Sequence, residues 1–548
     1  MKFSTICTGW RETVGLRAVK ALRAAGVIVL AVTGVLAGGG AHAQTPQRGG
    51  TAVMVIGTDP LSLSPDTTNS VPDVDTSCLI YDALVRFGKG FAIVPSLAQS
   101  WTIAPDGKTY TFKMVKANWQ DGKPVTSDDV KFTLLEISSK YGPRFAAAGK
   151  FIDAIDTPDP QTVVIHLKQP FGPFLFSLAC EQNAAIMPAH ILRGTDLLKN
   201  PAILTNPVGE GPFKVANWVR GDHLTLTRNP DYWIKDQPYL DRVVVRTIPD
   251  PSARILALRA GDVDFVVPDY MPLSAVQMLQ QMPTFSVQQV SYPDSDIIIL
   301  NTKDEKVPAL AKPEVRRALY IALDRTFIHQ KVYYGLGGVP LSSFDTRLWA
   351  YDPKIDYQKM YPYDPAKAKQ MLDAAGYPAG PDGTRFTMRL AFESDRPEWM
   401  ESAQAIQRFW QAVGVHVVLV GADRPVILKQ VYADYDFDAT LQTYTTLGDP
   451  ALGIARTYVT ASIQKGTTFN NASQYSNPEV DKLFDEGRDA STQQARVPFY
   501  NQGQEILAQD MPVLNLHQAP QYAVASTRLH GLWQAANQQW WGSVWASK

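Results

Sequence analysis

The sequence predicts a mixed α/β protein built as two to four domains or as one large two-lobed body. Its 548 residues exceed what one ordinary core organises. Strand-like alternation bounded by turn residues trades places with helical periodicity along the whole chain. After the first residues, no internal repeat, low-complexity segment or long flexible linker interrupts that pattern, so the parts are expected to be packed lobes and not beads on a string.

The first residues stand apart. Lys2, Arg11, Arg17, Lys20 and Arg23 form a basic leader, Ala24 to Ala37 is an apolar run, and Ala41-His42-Ala43 is a small-x-small cleavage site before Gln44. This reads as a secretory signal peptide cleaved after Ala43, which sends the mature protein to the periplasm. The apolar run is shorter than the roughly 18 to 20 residues of a membrane span. No cysteine follows it at a lipid-attachment position, since Cys7 lies upstream. Removing this segment takes away five Lys/Arg and one Glu, leaving 47 basic against 52 acidic residues and a formal charge of −5. No basic run interleaved with aromatics appears, so nothing points to nucleic acid. The mature chain keeps Cys78 and Cys180, which either pair or stand as two separate thiols.

In chain order, "KTYTFKMV" (Lys108 to Val115) alternates polar and apolar residues after the turn "PDG" and reads as a strand. Asp121-Gly122 is a turn signal. Thr126 to Asp129 has the form of a capping box, with acidic residues where the first-turn N–H groups are unpaired, and Leu134 and Ile137 follow at helical spacing. The three aspartates of "NWQDGKPVTSDDVKFTL" are thereby accounted for as a turn and a helix start, without catalysis. "TVVIHL" and "HLTLTRN" are further strands. Helices are expected at Ser252 to Arg259, at Pro313 to Leu323, at Pro365 to Ala375 before Gly376, and at Glu401 to Val413 before Gly414.

"VPSLAQSWTIAPDGKTYTFKMVKANWQDGKPVTSDDVKFTL" (Val94 to Leu134) resembles the signature region of the extracytoplasmic solute-binding proteins of ABC importers, in the oligopeptide, dipeptide and nickel-binding family (family 5). The resemblance continues in order through "NPVGEGPFKVANWVRGDHLTLTRNPDYW" (Asn206 to Trp233), with Glu210 where threonine is usual, "PEVRRALYIALDRTFI" (Pro313 to Ile328), "YDPAKAKQMLDAAGY" (Tyr363 to Tyr377) and "YSNPEVDKLFDEG" (Tyr475 to Gly487). It implies a two-lobed periplasmic binding protein of type II, cluster C-like, with a ligand cleft between lobes joined by two chain crossings. Lobe one would span 44–290 with 514–548 returning to it, and lobe two 291–513. The crossings would lie near Gln289 to Tyr292 and Met511 to Leu514. The implied partners are a small-molecule or oligopeptide-like ligand and the inner-membrane permease subunits, with the protein a monomer that needs no cofactor.

The resemblance also implies where a ligand would be met. Peptide-binding relatives use an arginine for the ligand carboxylate and an aspartate for its α-ammonium. Arg396, before Pro397 at a strand-to-helix junction, matches the first, and a guanidinium suits it because its planar fork gives a carboxylate two parallel hydrogen bonds. The second anchor falls on Thr446, a neutral hydroxyl that cannot offset a buried ammonium. The ligand is therefore expected to carry a carboxylate or other acceptor at the Arg396 end and to lack a free α-amine. Asp449 could substitute, although its place before Pro450 also suits a turn. Tyr444 is a candidate to stack on the ligand. Asn69 and Asp73 are the polar candidates of the lobe-one loop, each with a solvated-loop alternative.

Two other classes compete. An exported hydrolase would need a nucleophile with its base or a metal site, but neither G-x-S-x-G nor H-E-x-x-H occurs, and no two histidines after the leader stand at i, i+4 spacing. No catalytic or metal-ligating set is therefore assigned. A binder of metal chelates, as in the nickel branch, needs few protein ligands and stays open at the level of sequence.

Overall fold

The computed structural model describes residues 45–547 except Asn69, 291–293, Asp395 and 535–539. The expected leader and its boundary at Ala43 lie outside the described residues.

The strand Thr51–Ile56 pairs in parallel with Arg242–Thr247 on one side and Phe265–Val266 on the other. Antiparallel neighbours complete a mixed seven-stranded sheet in the order Phe285–Gln289, Tyr522–Ser526, Phe265–Val266, Thr51–Ile56, Arg242–Thr247, His223–Arg228, Phe213–Val219. A four-stranded antiparallel sheet, Ala98–Ile103, Thr109–Met114, Thr162–Leu167 and Ile152–Asp159, packs into the same apolar core through Phe112, Ile155 and Ile165. The capped helix Ser127–Phe132 sits on that core. The Asp129 carboxylate accepts from the Thr126 N–H at 2.8 Å, from the Thr126 hydroxyl at 3.0 Å and from the Ala189 N–H at 3.0 Å. Asp121 accepts from the Lys123 N–H and meets His190 at 2.7 Å, and Asp128 pairs with Arg193. All three aspartates hold local structure, as the capping reading requires.

A second, five-stranded sheet has the order Val415–Ala422, Phe386–Glu393, Ala439–Thr445, Asp294–Leu300, Val513–Gln518. Every residue of Asp294–Leu300 is buried, and its period of two sends Ile298 and Leu300 into one core with Leu319 and Trp410, and Ile297 and Ile299 into another with Tyr432 and Tyr500. Helices cover both faces, among them Pro313–Ile321, Pro365–Ala374 and Gln493–Asp510. The helix expected from Glu401 begins earlier, at Pro397, because proline is pre-organised for the first helical position and Arg396 takes the extended cap.

Two passages join the sheets. The first lies between Gln289, which ends a strand of the first sheet, and Asp294, which begins one of the second. The second runs from Gln518 to Tyr522, later than the expected Met511 to Leu514, because Val513–Gln518 pairs with Asp294–Leu300 before the chain leaves the second sheet. Cys78 and Cys180, left open by the sequence, form a disulfide across a sequence separation of 102 residues.

Candidate functional site

In open α/β sheets, ligands bind beyond the carboxyl ends of the strands, where successive loops diverge. Three parallel strands of the second sheet end on one side: Phe386–Glu393 leads to Arg396, Val415–Ala422 to Arg424, and Ala439–Thr445 to the loop at Thr446. In the first sheet, Phe265–Val266 leads into Pro268–Tyr270, which carries Asp269.

Glu393 is the centre of the second-lobe side. Its side chain is 2% exposed and lies 3.5 Å from both Arg396 Nε and Arg424 Nη1. One buried carboxylate is thus shared by two guanidiniums, and Arg396 also faces the charges of Asp269 and Asp296. Arg396 is 42% exposed, its guanidinium stands 4.6 Å from the Trp399 ring centroid, and its ion pair uses Nε. Among the described residues neither of its terminal nitrogens has a hydrogen-bond partner, so the fork that grips a carboxylate stays open.

The other sequence candidates do different work. Thr446 is buried; its hydroxyl accepts from the Gly448 N–H at 3.3 Å, and a side chain at Gly453 would strike the Thr446 backbone. Gly448, at φ +79°, lets the loop tip approach Phe176 so closely that a Cβ there would sit 2.5 Å from that ring. Asp449 is removed from the ligand set: Arg496 grips it bidentately at 2.5 and 2.6 Å, both side chains are buried, and it also accepts from the Ala451 N–H. Its carboxylate ties the loop to the helix Gln493–Asp510. Tyr444 is buried too, donating to the Asn470 carbonyl at 2.7 Å and meeting the Tyr432 hydroxyl at 3.1 Å, so its ring is not free to stack on a ligand. Asp73 is buried and accepts from the Leu61 and Ser62 N–H groups and from the Ser62 and Ser70 hydroxyls, so its carboxylate is spent on fixing the loop. Asn69 lies outside the described residues.

Sequence reasoning missed several charged groups. Arg456 stands 5.9 Å from the Tyr444 ring centroid, and its buried Nε has no partner among the described residues. Burial pulls its pKa down, and the charge of Arg144, from the first lobe, adds to the effect. Burial also pushes up the carboxyl of Asp296, which accepts from the Tyr333 hydroxyl at 2.9 Å and from the Thr443 hydroxyl. The signal for Asp294 and Asp296 was present as "DSDIIIL", two acids in an otherwise apolar strand. The loop arginines had none.

A cavity of about 110 Å³ beside the disulfide is lined by Tyr81, Asp82, Arg86 and Glu181 among others.

A family model described as bacterial extracellular solute-binding proteins, family 5 Middle, matches residues 92–465. The chain belongs to this family. A Brucella ovis relative named as an ABC transporter peptide-binding protein is 34% identical to this family 5 chain over 344 residues, which is 62% of the length of each. The periplasmic binding protein DppA of Helicobacter pylori, solved with the peptide STSA, superposes with a TM-score of 0.75 at 26% identity, covering 92% of this chain and 99% of that one. AgaA of A. tumefaciens R10, solved with agropinic acid, gives 0.74 at 26% identity, covering 91% and 99%. This family 5 chain therefore has the two-lobed fold.

Proposed function

We propose that this family 5 protein is the periplasmic substrate-binding component of an ABC importer, capturing a peptide-like or other polar solute between its lobes and presenting the closed form to the membrane permease. Lobe one comprises the mature chain to about Val290 with the C-terminal return after Gln518, and lobe two the part between. The basic and apolar leader directs export, and the protein binds its ligand without turning it over.

The observation that carries this reading is Arg396: an open guanidinium fork at a strand end, beside a Glu393 carboxylate already shared with Arg424. It suits a ligand carboxylate, and contacts made only in the closed form shift the lobes toward closure. The peptide and the agropinic acid bound by the two solved relatives both fit a carboxylate-bearing solute. Mass spectrometry of whatever co-purifies with native protein, followed by thermal unfolding with that compound added back, tests it. A carboxylate-bearing compound that raises the melting temperature is expected, because a ligand of the folded state alone stabilises it. Turnover of that compound by the protein would overturn the reading.

A further inference from the structure

We propose that Asp269 and Asp294, one from each lobe, form a subsite for a cationic group of the ligand, a protonated amine or guanidinium, at the hinge side of the cleft. The inference rests on the reading that the cleft captures a solute whose carboxylate meets Arg396.

Position is the first argument. Asp269 lies at the carboxyl end of Phe265–Val266 in the first sheet, and Asp294 is the first residue of Asp294–Leu300 in the second, directly after the first passage. The second passage carries Gln521, whose Nε2 lies 3.5 Å from an Asp269 oxygen, and the Asp294 carbonyl accepts from the Ala519 N–H at 2.9 Å. Both acids thus border both crossings.

Unmet bonding is the second. Asp294 is 6% exposed, and its Oδ1 has no hydrogen-bond partner among the described residues. A buried carboxylate oxygen left unpaired is costly unless something supplies the missing donor. The strand register sets Asp294 opposite Thr445, which lies beside the Thr446 loop.

Charge is the third. Burial pushes the Asp294 carboxyl up to about 7, and the Asp269 charge across the gap pushes the same way, while Thr445 and Arg347 oppose it and Asp296 adds to it. The guanidiniums of Arg396 and Arg144 face Asp269. The cation nearest to hand is already committed: Arg347 grips Asp345 through Nε at 2.9 Å and Nη2 at 2.7 Å, and its Nη1 points at the Val290 carbonyl. Asp269 remains solvent-exposed with no ion pair among the described residues. The Thr445 side chain hydrogen-bonds the Asp294 carboxyl, and a ligand cation between the two carboxylates would relieve their mutual repulsion and supply a donor to the unpartnered Oδ1. On this proposal the acidic anchor lies at the hinge and not at the Thr446 loop, whose neutral hydroxyl led to the expectation of a ligand without a free amine.

Calorimetry at pH 7 with matched pairs of compounds tests this: unblocked dipeptides and amino-acid conjugates bearing a free ammonium or guanidinium, each against its N-acetylated or otherwise neutral counterpart. The cationic member should bind at least about thirtyfold tighter, the scale of a desolvated charge pair. Its binding should release protons, seen as an enthalpy that depends on the buffer. Asp294→Asn should abolish both the preference and the proton release, and Asp269→Asn, at an exposed position, should weaken the preference in a protein whose melting curve matches wild type. Equal binding of both members in wild type overturns the subsite while leaving the cleft reading intact. Failure of every member of both classes to bind wild type overturns the cleft reading and the subsite with it.

Discussion

Asp449→Asn separates a structural carboxylate from a ligand-binding one. In the wild type two parallel bonds at 2.5 and 2.6 Å join it to Arg496, and both groups are buried. Neutralising one partner of a buried ion pair costs about 3–5 kcal/mol, because the other charge stays buried and uncompensated. The remaining Arg496 bonds, to the Gly487 carbonyl and the Tyr500 hydroxyl, do not replace a counter-ion. If the second lobe, roughly 225 residues from Asp294 to Gln518, unfolds as a unit, its unfolding entropy is about 0.5 kcal/mol/K, and the melting temperature falls by about 6–11 °C. Scanning calorimetry of ligand-free protein reads this directly. Replacing both partners by apolar residues of similar volume should recover much of the loss, since a buried pair and a well-packed apolar pair are often close in stability. If Asp449→Asn melts within about 1 °C of wild type yet loses ligand affinity, Asp449 belongs to the ligand after all.

Arg396→Gln should weaken the binding of carboxylate-bearing ligands by at least about tenfold, with the melting temperature of the ligand-free protein unchanged because the side chain is half-exposed. Arg396→Lys should restore only part of the affinity, as an ammonium cannot reproduce the fork. Reducing Cys78–Cys180, or replacing both by serine, should cost about 4–5 kcal/mol in urea unfolding, the loop-closure entropy of a link spanning 102 residues; an unchanged midpoint would refute this. Asp66 is fully buried and accepts from the Ala185 N–H and the Ser138 hydroxyl, yet burial holds its carboxyl up at about 8. Its folded pKa lies above the unfolded one, so its contribution to stability is complete below about 4 and is lost as pH rises toward 8. Asp66→Asn should flatten the decline in melting temperature between pH 5 and 8, and a variant that declines as steeply as wild type would exclude this group as the cause.

Local chemistry carried much of the fold. The capping box at Thr126, the proline-initiated helices at Pro313 and Pro365, and the alternation of Thr162–Leu167 each depend on neighbours a few residues apart, and each stands where periodicity and caps put it. The position of Arg396, between a strand and a proline-initiated helix, was legible for the same reason, whereas its role toward a ligand is what the family resemblance implies. The roles of Asp73, Tyr444 and Asp449 were not legible. Whether a carboxylate or phenol faces a ligand or is consumed within the protein depends on partners such as Arg496, 47 residues away, or Asn470, 26 residues away. The second passage between sheets was misplaced for a related reason: Val513–Gln518 takes its place from a partner strand that begins at Asp294.

The sequence by itself determined the class of molecule: an α/β chain with an export-type leader, the ordered motifs of a solute-binding family, and an arginine set before a proline at a strand-to-helix junction. Those properties are written in composition and short-range spacing. Only the tertiary structure decided which charges remain unspent. The Glu393 carboxylate shared by Arg396 and Arg424, the Asp449 committed to Arg496 and the unmet oxygen of Asp294 all arise when strand ends far apart in the chain converge. Electrostatic pairing depends on distance and burial in space, and neither is a property of position along the chain.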